Sequence, residues 1–197
     1  MIITDKFVWV HLPKCAGTKT RMVLQKAFRG KILYQSPIGK EHEGAIPEGF
    51  VLGDKEIVIN FRKLPSFLIS KSMHHYRYDA YPTKLIYNEQ ELLDLVKQGK
   101  TIQPPKQIIT ADLVLNGFTK ILHSGNQVTY IRQEFYEKDM RKFLNRFKIG
   151  PADLKSKHSL RRPYDLLSED NLNEEDIKNI YEKNPNWSKL EQRIYNE

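Results

Sequence analysis

Cysteine is almost absent from this chain of 197 residues, where Cys15 stands alone. One thiol closes no internal disulfide and supports no cysteine-rich zinc site. Long apolar runs are missing as well. No stretch approaches the roughly 20 residues that cross a bilayer, so no membrane partner is expected. The opening segment MIITDKFVWV lacks a basic region followed by a long apolar stretch and a small-residue cleavage site. No secretion signal is therefore expected. Internal repeats and low-complexity tracts are also lacking. These absences lead to the expectation of a cytoplasmic protein in a reducing compartment.

What is present bounds the answer further. A hydrophobic content of 40% is enough to build a core and excludes a disordered tail. The length suits one domain spanning 1–197. A net charge of +8 favours a polyanion, an anionic small molecule or an acidic surface. The aromatic residues are not grouped with basic ones in an RNP-like or basic-helix pattern, so nucleic acid is not the expected partner. A solvated basic surface is the plain alternative.

Periodicity places the elements. Phe7-Val8-Trp9-Val10 reads as a buried strand, followed by a turn from Pro13 to Gly17. A helical pattern comes next, with Val23, Leu24, Ala27 and Phe28 on one face. Residues 30–55, rich in Gly, Pro and charge, read as a long loop. Ile57 to Phe61 is a second buried strand, and Pro65 is placed to open the helix after it. Asn88 with Glu91 is a helix-start signal ahead of Leu92, Leu93 and Val96. Val114, Phe118, Ile121 and Leu122 mark one further helix, and Val128 to Ile131 a third strand. Met140, Phe143, Leu144 and Phe147 form a helical stripe, and two more helices lie around Ile177 to Tyr181 and Trp187 to Ile194.

Short buried strands alternating with helices imply an α/β fold. The expected form is a P-loop-like parallel sheet flanked by helices in a single compact domain, with the helical segment 151–197 packed on it. Ligands of such sheets bind at the carboxyl ends of the strands. That rule selects His11 to Thr20, Arg62 to Ser70, and Arg132 to Glu134, with the basic stretch Lys155 to Arg162 placed to close over the same edge.

The segment His11-Leu12-Pro13-Lys14-Cys15-Ala16-Gly17-Thr18-Lys19-Thr20 joins a strand to a helix. Such a turn aims backbone N–H groups and the positive helix end at one spot. Lys14 and Lys19 add charge, and Thr18 and Thr20 add hydroxyl donors. It is not a Walker A loop, which needs two glycines and a following Lys-Ser/Thr; here one glycine follows a lysine. A nucleotide kinase of the P-loop type would also need an acidic magnesium ligand after a strand, and none is found.

FVWVHLPKCAGT resembles the 5′-phosphosulfate loop of sulfotransferases, commonly written H-[IL]-P-K-[TC]-[AG]-G-T. A second segment agrees. IVINFRKLPSFLIS has Arg62 at a strand end and Ser70 eight residues later, similar to the arginine–serine pair with which the family binds the 3′-phosphate of its nucleotide. An arginine there can contact phosphate through two parallel hydrogen bonds, and a serine can donate from the helix. One departure is that Pro65 follows the arginine by three residues, where the family usually has two. YIRQEFYEKDMRKFL, with Arg132, Glu134 and Asp139, and the C-terminal stretch from Leu154 to Tyr195 resemble the carbohydrate sulfotransferase branch. There the Lys155-Ser156-Lys157 loop is a candidate nucleotide clamp.

The resemblance implies a sulfotransferase with 3′-phosphoadenosine 5′-phosphosulfate as donor and adenosine 3′,5′-bisphosphate as product. It implies an acceptor hydroxyl on a saccharide or small metabolite, and no metal. Lys14, Cys15, Ala16, Gly17, Thr18, Lys19, Thr20, Arg62 and Ser70 would bind the nucleotide. Sulfuryl transfer, like phosphoryl transfer, depends on positioning and charge stabilisation, and Lys14 is the cation for the leaving phosphate. A general base must take the acceptor proton. Candidates are His42, Glu43, His74 and His75; His42 occupies the interval where the carbohydrate branch often carries its base, and a neutral imidazole suits the task. His11, His123 and His158 read as structural or solvated, and Cys15 as a small filler. The competing reading is a basic nucleotide- or nucleic-acid-binding module, an inactive scaffold of the same type. No motif names the acceptor or an oligomeric state.

Overall fold

A computed structural model describes residues 1–37, 39–77, 87–103, 107–150 and 167–196, excluding the side chains of 75–77. The chain divides into two compact units, Met1–Phe61 with Gly117–Leu160 and Arg62–Asn116 with Arg161–Glu197.

The first unit is built on a five-stranded sheet of β1 (Ile2–Ile3), β2 (Phe7–Val10), β3 (Tyr34–Gln35), β4 (Glu56–Phe61) and β7 (Val128–Arg132), in the order β3-β1-β2-β4-β7. The three strands expected from apolar runs form its parallel part: Val10 pairs with Ile59 and Phe61 with Arg132. All four β2 residues are buried, which is why that strand reads as an unbroken apolar run. The sheet as a whole is mixed, a correction to the expected parallel sheet. Thr4 turns the chain back by accepting the Phe7 N–H at 3.0 Å, so β1 lies antiparallel to β2. β3, inside the expected loop, pairs antiparallel with β1.

Helices α1 (Gly17–Ala27) and α6 (Tyr136–Asn145) pack on the sheet face that carries Phe7 and Trp9. Phe7, Phe28, Phe143 and Phe147 interlock there, with Phe7 edge-on to Phe28 at a ring separation of 4.9 Å. A bidentate ion pair, Arg132 Nε and Nη2 to Asp139 at 2.8 Å each, joins the end of β7 to α6. Asp139 also accepts the Arg132 N–H. Burial raises the Asp139 pKa, but the Arg132 hydrogen bonds and charge outweigh it and hold the carboxyl below its ordinary value.

The expected helix from Val114 to Leu122 is two helices, α4 (Ala111–Asn116) and α5 (Thr119–Leu122), interrupted at Gly117. They belong to different units.

The second unit contains α2 (Leu64–Arg77), α3 (Glu89–Lys97), the antiparallel strands β5 (Lys100–Gln103) and β6 (Gln107–Thr110), α4, α7 (Glu174–Glu182) and α8 (Pro185–Tyr195). Pro65 sits in the first turn of α2, where its missing N–H costs nothing. Asn88 and Glu91 form the expected reciprocal cap of α3. Glu191 of α8 accepts the Leu64 N–H at 2.7 Å and so caps α2. Asn184 is fully buried; its oxygen accepts from the Ala111 N–H at 2.7 Å, and its Nδ2 donates to the Gly99 and Ile180 carbonyls at 2.9 Å each. Asn184→Ala strands these three backbone groups away from water and is expected to cost about 3 kcal/mol. Urea unfolding measures it, and a loss under about 1 kcal/mol contradicts this accounting.

No helix among the described residues is long and apolar enough to cross a membrane.

Candidate functional site

The turn between β2 and α1 takes an unusual backbone path. Lys14 and Ala16 both adopt left-handed conformations with φ of 63°, although neither is glycine. Each such residue costs on the order of 1 kcal/mol, which the surrounding structure must offset. Alternation of this kind turns successive N–H groups toward one concavity and makes an anion-binding nest. Helix α1 opens directly after it, and its first N–H groups have no carbonyl one turn earlier to bond. Thr20 N is the first to close the ladder, on the Ala16 carbonyl at 3.1 Å. No side chain caps this helix end and no acidic residue occupies its first turn, so its positive end is left for an incoming anion.

The side chains of the turn divide in use. Thr18 is exposed, and Lys14, Ala16 and Lys19 are half-buried. Lys19 lies over the Tyr136 ring, 4.5 Å from its centre. Cys15 and Thr20 are wholly buried. The Thr20 hydroxyl bonds the Ala16 carbonyl at 3.1 Å and approaches the Tyr136 hydroxyl at 3.3 Å, so it fastens the turn to α6. Burial pushes the Tyr136 phenol up to about 12, so it stays protonated.

His42 is carried to this turn from the loop after β3. Its Nδ1 lies 3.2 Å from the His11 carbonyl, and the two imidazoles are 4.3 Å apart. A carbonyl only accepts, so Nδ1 carries the proton and Nε2 keeps the basic lone pair. The loop is pinned beside it: Glu41 takes the Arg21 guanidinium at 3.2 Å and the Gly39 N–H at 2.6 Å. Burial raises the Glu41 pKa, yet hydrogen bonds from its own and the Gly39 N–H, with the His42 and Arg21 charges, bring it below its ordinary value. Glu43 is exposed on the same loop.

His11, expected to be structural or solvated, is structural. It is only 7% exposed, its ring stacks on Trp9, and its Nε2 edge presses on Gly17. Burial, then the charges of His42, the N-terminal amine, Arg21 and Lys14, push it down to about 3.

In the second unit, Arg62 is the residue after β4. Its Nε donates to Ser66 Oγ at 2.9 Å, and its carbonyl accepts Trp187 Nε1 at 3.1 Å. Ser70 is half-buried one turn beyond Ser66 on α2. Ser66 is a contact the sequence reading did not name: it lies in the first turn of α2, and Arg62 reaches it from two residues before that helix. His74 lies half-buried on α2; the side chain of His75, and Lys155, Ser156, Lys157 and His158, fall outside the described residues. No group of three or more His, Cys, Asp or Glu able to hold a metal ion occurs among the described residues.

No family model, curated protein or solved structure matches the chain.

Proposed function

We propose that the protein is a sulfotransferase that moves a sulfuryl group from 3′-phosphoadenosine 5′-phosphosulfate to an acceptor hydroxyl on a saccharide or small metabolite, in the cytoplasm. The observation that carries this reading is the left-handed turn from Lys14 to Ala16, opening on the uncapped N-terminus of α1 with His42 beside it. The composition of the turn suits a phosphosulfate: it offers backbone N–H groups, Lys14, Lys19 and the exposed Thr18 hydroxyl, with no carboxylate.

The donor supplies an activated sulfuryl group. Lys14 and the backbone amides of residues 15–19 hold the negative charge that gathers on the leaving phosphate oxygen, the Thr20 N–H being already bonded to Ala16. His42 Nε2 takes the acceptor proton, while the His11 carbonyl keeps the imidazole oriented through Nδ1. Arg62 and Ser70 are assigned the 3′-phosphate on their resemblance to the family pair.

Calorimetric titration with adenosine 3′,5′-bisphosphate, beside AMP and ATP at moderate salt, tests the reading. Tight binding of the bisphosphate alone supports it. Equal or absent binding of all three overturns it, and steep salt dependence with no nucleotide preference would favour a basic binding module. His42→Gln is expected to reduce turnover roughly a hundredfold without changing bisphosphate affinity. Near-normal turnover would move the base to Glu43 or His74.

A further inference from the structure

Three buried polar atoms of the first unit have no hydrogen-bond partner among the described residues: His11 Nδ1, Asn60 Nδ2 and Gln133 Oε1. They sit at the carboxyl ends of the three parallel strands. His11 follows β2, Asn60 is the penultimate residue of β4, and Gln133 follows β7. An unpaired buried polar group is costly, and its neighbours in space show what completes it.

The register pairs Val10 with Ile59 and Asn60 with Ile131. Carried one step on, it sets His11 beside Asn60, while Gln133 opens the short 3₁₀ turn that follows β7. Trp9 ties the first two together. Its ring stacks on His11 at 5.1 Å, and its Nε1 donates to Asn60 Oδ1 at 2.8 Å. An indole nitrogen can only donate, so the amide of Asn60 has one orientation: oxygen toward Trp9, NH2 elsewhere. That NH2 has two protons, and the other two unpartnered atoms at these strand ends are Gln133 Oε1, after β7, and His11 Nδ1, after β2. The second is an acceptor only if it carries no proton. A small rotation or one bridging water closes the set.

A bare Nδ1 places the imidazole proton on Nε2. That nitrogen lies where a Cβ on Gly17 would stand, 1.6 Å from the ideal position, at the first residue of α1. We propose that His11 is a neutral hydrogen-bond donor, through Nε2–H, to a phosphate-type anion held by the turn, and that Asn60 is the positioning residue that sets its tautomer. The inference rests on the reading above only in taking the turn as an anion site. Burial first, and then the charges of His42, whose ring lies 4.3 Å away, the N-terminal amine, Arg21 and Lys14, keep His11 uncharged at neutral pH. The donor therefore works without titrating.

Long-range ¹H–¹⁵N spectra of the full chain test this, first with inorganic phosphate and then with adenosine 3′,5′-bisphosphate. The expected His11 has a bare Nδ1 and a protonated Nε2, unchanged down to about pH 5, and its Nε2–H resonance moves as phosphate saturates. Asn60→Asp keeps an oxygen for Trp9 but replaces the NH2 by an acceptor. It is expected to draw the proton to Nδ1 and weaken phosphate binding about tenfold, the worth of one hydrogen bond. A proton on Nδ1 in the unaltered chain overturns the proposal without any variant. So does an Asn60→Asp protein with the tautomer unchanged, or an Nε2–H that phosphate does not move. Selective bisphosphate binding with an unmoved Nε2–H ends this proposal and leaves the sulfotransferase standing. The shift with inorganic phosphate, but no preference for bisphosphate over AMP, does the reverse. Absence of any anion binding ends both.

Discussion

On the proposed function, Lys14→Ala is expected to lower sulfuryl transfer about a thousandfold, because that proposal assigns its ammonium the charge developing on the leaving phosphate. The position makes the experiment informative beyond activity. Lys14 holds φ at 63°, where any side chain with a Cβ is strained. Alanine keeps that strain, whereas Lys14→Gly removes it and is expected to stabilise the fold by about 1 kcal/mol. A glycine variant that is more stable and yet inactive separates the chemical role of the ammonium from any role in folding. Lys14→Arg, which retains charge, should recover part of the rate. Thermal melts beside a sulfation assay decide the matter, and a Lys14→Ala protein within tenfold of the original rate would remove the residue from the chemistry.

Gly17→Ala is expected to be the most damaging single substitution in the turn. The new methyl would stand 1.6 Å from His11 Nε2 and 1.9 Å from Cδ2, far inside contact distance. The obstacle is no flexible tip; it is a ring stacked on Trp9 with His42 on its other flank. Overpacking of this kind costs about 3 kcal/mol, or roughly 10 °C of melting temperature for a chain of this size. Bisphosphate binding should disappear with it. His11→Ala removes the obstacle, so the double variant is expected to regain much of the stability while remaining a poor binder. That non-additivity is the signature of direct contact. A Gly17→Ala protein that melts within about 2 °C of the original would show that the turn moves freely.

The parts of the fold that were legible are those whose partners do not matter. β2 and most of β4 are buried and read as short apolar runs, β7 is marked by Val128, Tyr130 and the buried Ile131, and the cap of α3 is local chemistry between Asn88 and Glu91. Elements defined by a partner strand were not legible. Ile2–Ile3 and Tyr34–Gln35 are too short to show a period; pairing makes them strands, β1 with both β2 and β3, and β3 with β1. The mixed character of the sheet follows from the Thr4 turn, which no periodicity reports. Likewise Val114 and Phe118 keep helical spacing across Gly117, although the helix stops between them.

The candidate site shows the same division. The order of residues from His11 to Thr20 is contiguous, and the turn could be read directly. For His11 the sequence left a structural and a solvated reading open, and Trp9, Gly17 and His42 around it select the structural one. Thr20 is the opposite case: a hydroxyl that the motif offers to a ligand is fastened to Ala16 and Tyr136. Arg62 meets Ser66, which lies in the first turn of α2, while Ser70 is one turn further along that helix.

The two tryptophans have a practical consequence. Trp9 lies fully buried in the first unit and Trp187 fully buried in the second. Nature has therefore fitted each half with its own ultraviolet fluorophore. Exchanging either for phenylalanine leaves a chain that glows from one unit only, and the pair of variants together reports whether the halves melt in concert or one after the other.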